Sequence, residues 1–165
     1  MTTQQFEPGW ASKAGLMQVK PAEADSDPYR AADRLMIAEC IHRYGWGYDE
    51  RDADLVADCF TPEGVWEGTV MGSEQVGPFE GREAIVAFLA EFWAIQKDQR
   101  RHIFTNVVVD DLNEDSAVAH AYLLLTSAAG SSLTPVTNGP YRLIMRKEAG
   151  VWRMAHLISA FDAPY

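Results

Sequence analysis

Apolar side chains recur every three or four positions between residues 29 and 48, which is the period of an amphipathic helix. They include Leu35, Ile37, Ala38, Ile41, Tyr44 and Tyr48. The pattern begins after Asp27-Pro28 and stops at Asp49. Tyr44 and Tyr48 are one turn apart on one face, and Asp49 follows at the end of that turn. The sequence therefore predicts a carboxylate at the end of an aromatic helix face, where it can look into a cavity.

Two further helical patterns follow. The first, Ala53 to Phe60, is short and is followed by the turn sequence 61–64. The second begins near Glu80-Gly81-Arg82-Glu83 and carries a single apolar stripe. The inward positions of that stripe are Ile85, Phe88, Leu89, Phe92 and Trp93.

The second half of the chain has the composition of strands. β-Branched and apolar runs predict strands at 65–68, 102–109, 117–126, 141–146 and 151–160. Residues rich in Gly, Pro, Ser or Asp predict loops or distorted segments at 68–80, 110–115 and 130–140. Helices followed by mostly antiparallel strands indicate the α+β class. We expect a curved sheet wrapped round three helices, with a small-molecule pocket at the mouth of this cone.

Length and composition suggest one domain preceded by an irregular arm. The chain has 165 residues, 47% of them hydrophobic, which is enough for a substantial core. Residues 1–28 carry Pro8, Gly9, Pro21 and Pro28 and show little periodicity, so we predict an arm at 1–28 and the domain at 29–165. The arm either docks on a protein surface or is a disordered tail, and the sequence favours neither.

Charge and composition limit the partners. The formal net charge is −10, from 24 acidic and 14 basic side chains, which argues against nucleic acid and against an anionic membrane surface. No apolar run reaches membrane-spanning length. The first ten residues lack a basic region followed by an apolar one, so we expect no secretory signal and a cytoplasmic protein. Cys40 and Cys59 are expected to be buried, reduced thiols, with a disulfide as the alternative, and no zinc signature is present.

Strand alternation places a histidine where it can meet the helix end. His102, Phe104, Asn106 and Val108 share one face of their strand. If that face lines the pocket, His102 can contact Asp49, and the carboxylate would fix one imidazole tautomer and leave the other nitrogen as a base or acid. From residue types alone, a structural histidine and a solvated helix end are the commoner interpretation.

Five motifs in this order resemble one known family. They are Tyr44-x4-Asp49, Asp54-Leu55-x-Ala57-x2-Phe60-Thr61-Pro62, Phe79-x-Gly81-Arg82-Glu83-x-Ile85, His102-x3-Asn106-x-Val108 and Gly150-x-Trp152. From Tyr29 to the end, the sequence resembles the SnoaL-like and scytalone dehydratase-like branch of the nuclear-transport-factor-2-like (NTF2-like) fold. The resemblance implies an NTF2-like cone with a curved mixed or antiparallel sheet.

The resemblance also implies a chemistry. Tyr44, Asp49 and His102 match the catalytic residues of bile-acid dehydratases, whereas hexachlorocyclohexane dehydrochlorinases keep the Asp–His pair and have Lys in place of Tyr44. It implies a lyase without a metal or organic cofactor, acting on a hydrophobic alcohol, aromatic or polycyclic, by dehydration or β-elimination. Formaldehyde-releasing carbon–carbon cleavage and double-bond isomerisation remain open. Relatives of this kind resemble homotrimers, so a homo-oligomer is expected.

Two other functions stay open. One is a non-catalytic binding or assembly subunit, like the small subunit of ring-hydroxylating oxygenases, and the other is a polyketide cyclase. The candidate substrate-binding residues are Tyr48, Asn106, Phe104, Trp66, Met71 and Phe88. His120 is expected on the outer face of its strand, and His42 on the helix surface. The sequence assigns no role to His156 or Arg142.

Overall fold

A computed structural model describes residues 19–22 and 28–165, which contain three helices and six strands. The helices are α1 (Pro28–Asp49), α2 (Ala53–Asp58) and α3 (Arg82–Ile95). The strands are β1 (Phe60–Val70), β2 (Glu74–Glu80), β3 (Gln99–Asp110), β4 (Ser116–Ala129), β5 (Ser132–Glu148) and β6 (Val151–Phe161). This arrangement confirms the predicted α+β class.

The strands form one mixed sheet in the order β2-β1-β6-β5-β4-β3. Neighbouring strands are antiparallel except β1 and β6, which are parallel. Each of the five pairings contains a register shift, and such bulges bend the strands locally. The sheet is therefore curved, with α1 against its concave side at β3, and the predicted cone is confirmed.

The core lies between the helices and the concave face of the sheet. Helix α1 buries Ile37, Ile41 and Tyr44, each at most 2% exposed. Alternate residues of β4, β5 and β6 face them, and they are Ala117, Ala119, Ala121, Leu123, Leu143, Met145, Met154 and Leu157. This inward set on β4 is the one that the alternation predicts, so the intervening residues face outward. Within the described residues, no helix is long and apolar enough to cross a membrane.

One predicted core residue lies outside the core. Leu35 is 73% exposed, because the buried stripe of α1 runs through Ile37, Ile41, Tyr44 and Tyr48 and places position 35 on the opposite side of the helix. The predicted burial of Leu35 was wrong. The two cysteines are free and buried as predicted, and the Cys40 thiol donates to the backbone oxygen of Cys59 at 3.6 Å.

Several strands are longer than the sequence predicted. The segment predicted as a loop at 130–140 belongs to β5, because the antiparallel ladder with β4 continues through Pro135 and Pro140. The predicted loop at 68–80 contains β2, which follows a turn at Met71-Gly72 where both residues have positive φ. Helix α2 stops at Asp58, and β1 already begins at Phe60.

A short part of the arm lies against the end of β3. The backbone N–H of Lys20 donates to Asp110 Oδ2 at 3.1 Å, and its Nζ lies 2.5 Å from Asp111 Oδ1. The choice between a docked arm and a disordered tail concerns residues 1–18 and 23–27, which lie outside the described residues.

Candidate active site

An aspartate and a histidine from two elements form a buried pair. Asp49 is the last residue of α1, and His102 lies near the start of β3. Nδ1 of His102 lies 2.7 Å from Asp49 Oδ1, and the backbone N–H of His102 donates to Asp49 Oδ2 at 2.8 Å. Each side chain is 6% exposed. Because an ionised carboxylate only accepts hydrogen bonds, the imidazole proton belongs on Nδ1, which leaves Nε2 as a proton acceptor.

The end of α1 is held to the start of β3 by further contacts. The Gln99 side chain donates to the backbone oxygen of Asp49 at 3.0 Å. Arg51 adopts a positive φ of 57°, which turns the chain away after the helix, and its guanidinium donates to the backbone oxygen of Gln96 at 3.1 Å. These contacts tie the helix end to the segment that carries His102, so the pair is preorganised.

A glycine in α1 allows the helix to approach β3 at the pair. A Cβ atom at Gly45 would lie 3.2 Å from Cβ of His102 and 3.2 Å from the ring of Phe104. These separations are shorter than ordinary carbon contacts, so any larger residue would push His102 or the helix by a few tenths of an ångström. The absence of a side chain at position 45 therefore contributes to the Asp49–His102 geometry.

Two tyrosines of α1 lie beside the imidazole. The ring centroid of Tyr48 is 4.5 Å from that of His102, and the centroid of Tyr44 is 6.4 Å away. The indole N–H of Trp66 donates to the Tyr44 hydroxyl at 3.2 Å, and Gln96 Nε2 donates to the Tyr48 hydroxyl at 2.9 Å. Burial raises the pKa of both phenols above their ordinary value. Both therefore stay protonated at neutral pH, and Tyr44 has its own proton free to donate.

A cavity of about 30 Å³ opens beside the pair, well below the roughly 300–1,000 Å³ of small-molecule sites, so an aromatic ligand requires side chains of its wall to move. Its lining is Tyr44, Tyr48, Trp66, Phe88, Leu89, Phe92, His102, Leu125, Tyr141, Phe161 and Tyr165. Among these residues, only His102 has a basic side chain. The walls are otherwise aromatic or aliphatic, so the cavity suits a neutral, hydrophobic molecule.

The pair also borders a groove on the other side of α1. Trp46 and Ile103, which are 64% and 43% exposed, form part of that groove. It is lined by His42, Trp46, Asp49, Arg101, His102, Ile103 and Phe104. Asp49 and His102 therefore lie between an inner cavity and an outer groove, and only His102 is shared by both.

The structure brings most, not all, of the predicted site residues to the cavity. Of the predicted residues, Tyr44, Tyr48, Trp66, Phe88 and His102 line it, whereas Asp49 contacts His102 and borders the outer groove instead. Phe104 is buried behind them and packs on the rings of Tyr44 and His102, at centroid distances of 6.2 and 6.1 Å.

Two predicted substrate-binding residues lie away from the cavity. Asn106 occurs at a bulge, with φ of 53° and a register shift between Thr105 and Val108, and it is exposed. The bulge breaks the alternation on which its placement rested. Met71 is 52% exposed at the β1–β2 turn, because β1 ends at Val70. The predicted placement of both residues in the pocket was wrong.

Sequence reasoning missed several wall residues, above all Tyr141. The predicted strand 141–146 already included Tyr141, and its period-two pattern places Tyr141 on the same inner face as Leu143 and Met145. Phe161 could have been found in the same way at the end of β6. No comparable signal identifies Tyr165, which follows the last strand.

The other histidines are placed away from the cavity. His120 lies on the outer face of β4, as alternation predicts, and His42 is exposed. His156 lies on the outer face of β6, with Nε2 2.8 Å from Glu67 Oε1. Arg142 is the partner of His120 in the β4–β5 ladder and shares its outer face. Within the described residues, no group of three His, Cys, Asp or Glu side chains is arranged to hold a metal ion.

Comparison with protein families gives a match over most of the chain. The SnoaL-like domain matches residues 29–158, from α1 into β6. No curated protein matches the sequence. Structures with the same architecture include proteins described as cystatin-like and NTF2-like, in agreement with the expected fold.

Three solved structures illustrate the similarity. A protein from Catenulispora acidiphila, crystallised in complex with S-DNPA, is 31% identical, with a TM-score of 0.70 over 80% of this chain and 95% of that one. A proposed aromatic ring hydroxylase from Novosphingobium aromaticivorans is 25% identical, with a TM-score of 0.68 over 81% and 92% of the two chains. The β subunit of a proposed aromatic-ring-hydroxylating dioxygenase from the same species is 11% identical, with a TM-score of 0.71 over 83% and 94%, which shows likeness of fold alone.

Proposed function

The chain belongs to the SnoaL-like family, and we propose that it is a lyase in which His102 removes a proton from a carbon next to a leaving group. The observation that carries this proposal is the 2.7 Å contact between Asp49 and Nδ1 of His102 at the wall of an apolar cavity. Asp49 holds the tautomer in which Nε2 accepts a proton, and its charge stabilises the imidazolium that forms. The resemblance to dehydratases points to the same pair.

The proposed reaction uses three groups. His102 Nε2 takes a proton from carbon, and the electron pair of that C–H bond forms a C=C bond as the C–O bond to the leaving group breaks. Tyr44 keeps its proton and donates a hydrogen bond to a substrate oxygen on which negative charge develops. The imidazolium then returns its proton to the leaving oxygen, so that water departs and His102 is neutral again.

The cavity supports a neutral substrate. Tyr44, Tyr48, Trp66 and Phe88 provide aromatic walls, and no lining side chain is a counterion for a carboxylate or phosphate. We therefore propose an aromatic or polycyclic alcohol as the substrate class, with dehydration as the reaction. Formaldehyde release from an aromatic diol, which uses the same base, is the nearest alternative.

Turnover of candidate substrates tests the proposal. Neutral aromatic hydroxy compounds are incubated with the wild-type protein and with Asp49→Asn, and loss of water or formaldehyde is followed by mass spectrometry. Loss from at least one compound in the wild type, and much slower loss in the variant, is the expected result. Equal rates for the two proteins on every compound that reacts would contradict the proposed role of the pair.

A non-catalytic assembly subunit is the second candidate. The likeness of fold to the dioxygenase β subunit from N. aromaticivorans favours it. A purely structural subunit has no need for a buried carboxylate bonded to a cavity histidine. It therefore predicts that Asp49→Asn changes neither ligand binding nor assembly, whereas the lyase proposal predicts loss of turnover.

We also propose that the protein is a homo-oligomer, with a trimer as the first expectation. The outer face of β3 and β4 exposes Ile103, Tyr122 and Leu124 side by side, at 43%, 55% and 42%. Adjacent exposed apolar side chains of this kind are typical of interaction surfaces. Light scattering tests the proposal, and a monomeric mass would overturn it.

A further inference from the structure

Tyr141 is a buried phenol that borders the cavity and has no protein partner for its hydroxyl group. It is 2% exposed and belongs to the cavity lining. No hydrogen bond within residues 19–22 and 28–165 involves its hydroxyl. The hydroxyl oxygen of Tyr141 is not fully enclosed by protein atoms, so it borders open space. The open space next to this residue is the cavity.

The ring of Tyr141 is fixed by its neighbours. Phe104 and Phe161 pack edge-on against it, at centroid distances of 5.3 and 5.9 Å and interplanar angles of 70° and 81°. The residues beside it in the sheet are small, Ala121 on β4 and Ser159 on β6. The phenol therefore has room to reach inward from the sheet and is held in one orientation by aromatic contacts.

The hydroxyl group of Tyr141 is a donor at neutral pH. Burial raises the pKa of this phenol well above its ordinary value, and the neighbouring phenol Tyr44 acts in the same direction. The proton of Tyr141 is therefore retained. A buried hydroxyl without a partner is unfavourable, and no protein atom among the described residues accepts from it, so a molecule in the cavity, water or substrate, is the available source of an acceptor.

We propose that Tyr141 is a substrate-binding residue that donates a hydrogen bond to a carbonyl oxygen of the enclosed molecule, as a second donor beside Tyr44. The inference rests on the proposed function in taking this cavity as the substrate site. It adds a requirement, because a ligand must carry an acceptor oxygen at the sheet side of the cavity as well as apolar rings. The matching substrate class is a neutral cyclic ketone that also carries the hydroxyl group to be eliminated.

Equilibrium binding of two probes of nearly equal shape tests this role. 2-Tetralone carries a carbonyl oxygen, and tetralin is the same ring system without it. Quenching of tryptophan fluorescence reports binding, since Trp66 lines the cavity. We expect the wild-type protein to prefer 2-tetralone by about tenfold, and Tyr141→Phe to weaken 2-tetralone binding by about fivefold while tetralin binding is unchanged.

Tyr122→Phe is the matched control. Tyr122 is 55% exposed on the outer face of the sheet, so the same loss of a hydroxyl there should change neither affinity. Infrared spectroscopy of the bound ketone gives a second readout. The carbonyl stretch should lie at lower wavenumber in the wild-type complex and move back towards the free value in Tyr141→Phe, because a lost hydrogen bond strengthens the C=O bond.

Two results would overturn the role of Tyr141. One is that the wild-type protein binds the two probes with equal affinity, or binds neither. The other is an unchanged affinity and carbonyl frequency in Tyr141→Phe. Neither measurement needs turnover, so ketone binding through Tyr141 combined with full activity of Asp49→Asn would contradict the lyase proposal alone.

Discussion

Two histidines of the sheet lie beside aspartates and are equally buried, with side chains 6% exposed, but their surroundings differ. His102 faces the cavity, and its Nδ1 lies 2.7 Å from Asp49. His120 faces the outer side of the sheet, with Nδ1 3.7 Å from Asp110, and neither of its ring nitrogens has a hydrogen-bond partner among the described residues. Burial next to a carboxylate is therefore common to both histidines. They differ in the short contact on Nδ1 and in bordering the cavity, which only His102 does.

The strongest test of this comparison makes the same substitution in both pairs. Asp49→Asn should lower kcat by about three to four orders of magnitude, because the amide cannot stabilise the imidazolium or hold the correct tautomer. Asp110→Asn should leave kcat near the wild-type value. Steady-state kinetics on a reacting compound, with circular dichroism as a check of folding, measures both effects. A similar loss in the two variants would mean that the pairs do not differ in function.

The next effect concerns the hydroxyl group of Tyr44. Tyr44→Phe should lower kcat by about 100-fold, since one donor to developing negative charge is removed. Trp66→Phe is the comparison, because it removes the indole N–H that donates to Tyr44 but keeps the phenol. We expect a smaller loss of kcat from Trp66→Phe. A larger loss from Trp66→Phe would mean that the indole, rather than the phenol, matters to the reaction.

A smaller effect should follow from a change at Gly45. Gly45→Ala places a methyl group 3.2 Å from Cβ of His102, and we expect kcat to fall about tenfold through a small displacement of the imidazole. The melting temperature should change little, because alanine favours the helix. Gly47→Ala is the comparison variant, because its methyl group would lie 2.9 Å from Cγ2 of Val56 and away from His102.

The two glycine variants should separate activity from stability. Gly47→Ala is expected to lower the free energy of unfolding by about 1–3 kcal/mol and to keep kcat near the wild-type value. Gly45→Ala with full activity would show that the approach of α1 to β3 tolerates a methyl group without disturbing the pair.

The smallest effect concerns His120 and the pH dependence of stability. Burial lowers the pKa of His120 in the folded protein, and Arg142 acts in the same direction, whereas Asp110 opposes it. The unfolded chain then binds more protons than the folded protein just below the ordinary pKa of 6.5. Stability contributed by neutral His120 is therefore present above pH 6.5 and is lost as the pH falls.

Urea unfolding at pH 7.5 and pH 5.5 tests this dependence. At pH 7.5 the free energy of unfolding of His120→Leu should be about 1 kcal/mol higher than that of the wild type, because the variant removes a buried group without partners. The difference should grow at pH 5.5. His42→Gln, a change at an exposed histidine, should leave the wild-type dependence unchanged. A constant difference between His120→Leu and the wild type at the two pH values would contradict the lowered pKa.

The sequence predicted the elements that carry the pair better than the walls around it. Periodicity identified α1 and its end at Asp49, because a long buried stripe is a strong signal. The meeting of Asp49 with His102 depended on a resemblance, since residue types do not reveal which strand lies beside a helix end. Asn106 was misplaced because a bulge shifts the alternation within β3. Tyr141 lay in the predicted strand 141–146, but the residue types did not reveal that this end of its inner face borders the cavity.

The most direct test of the central claim is whether the protein removes a proton from carbon through His102. 2-Tetralone has acidic C–H bonds next to its carbonyl group, so proton NMR in D2O can follow their exchange for deuterium without any leaving group. We predict that the wild-type protein accelerates this exchange above the buffer rate and that Asp49→Asn and His102→Asn do not. Exchange at the buffer rate in the presence of the wild-type protein, or equal acceleration by the Asp49→Asn variant, would contradict the account.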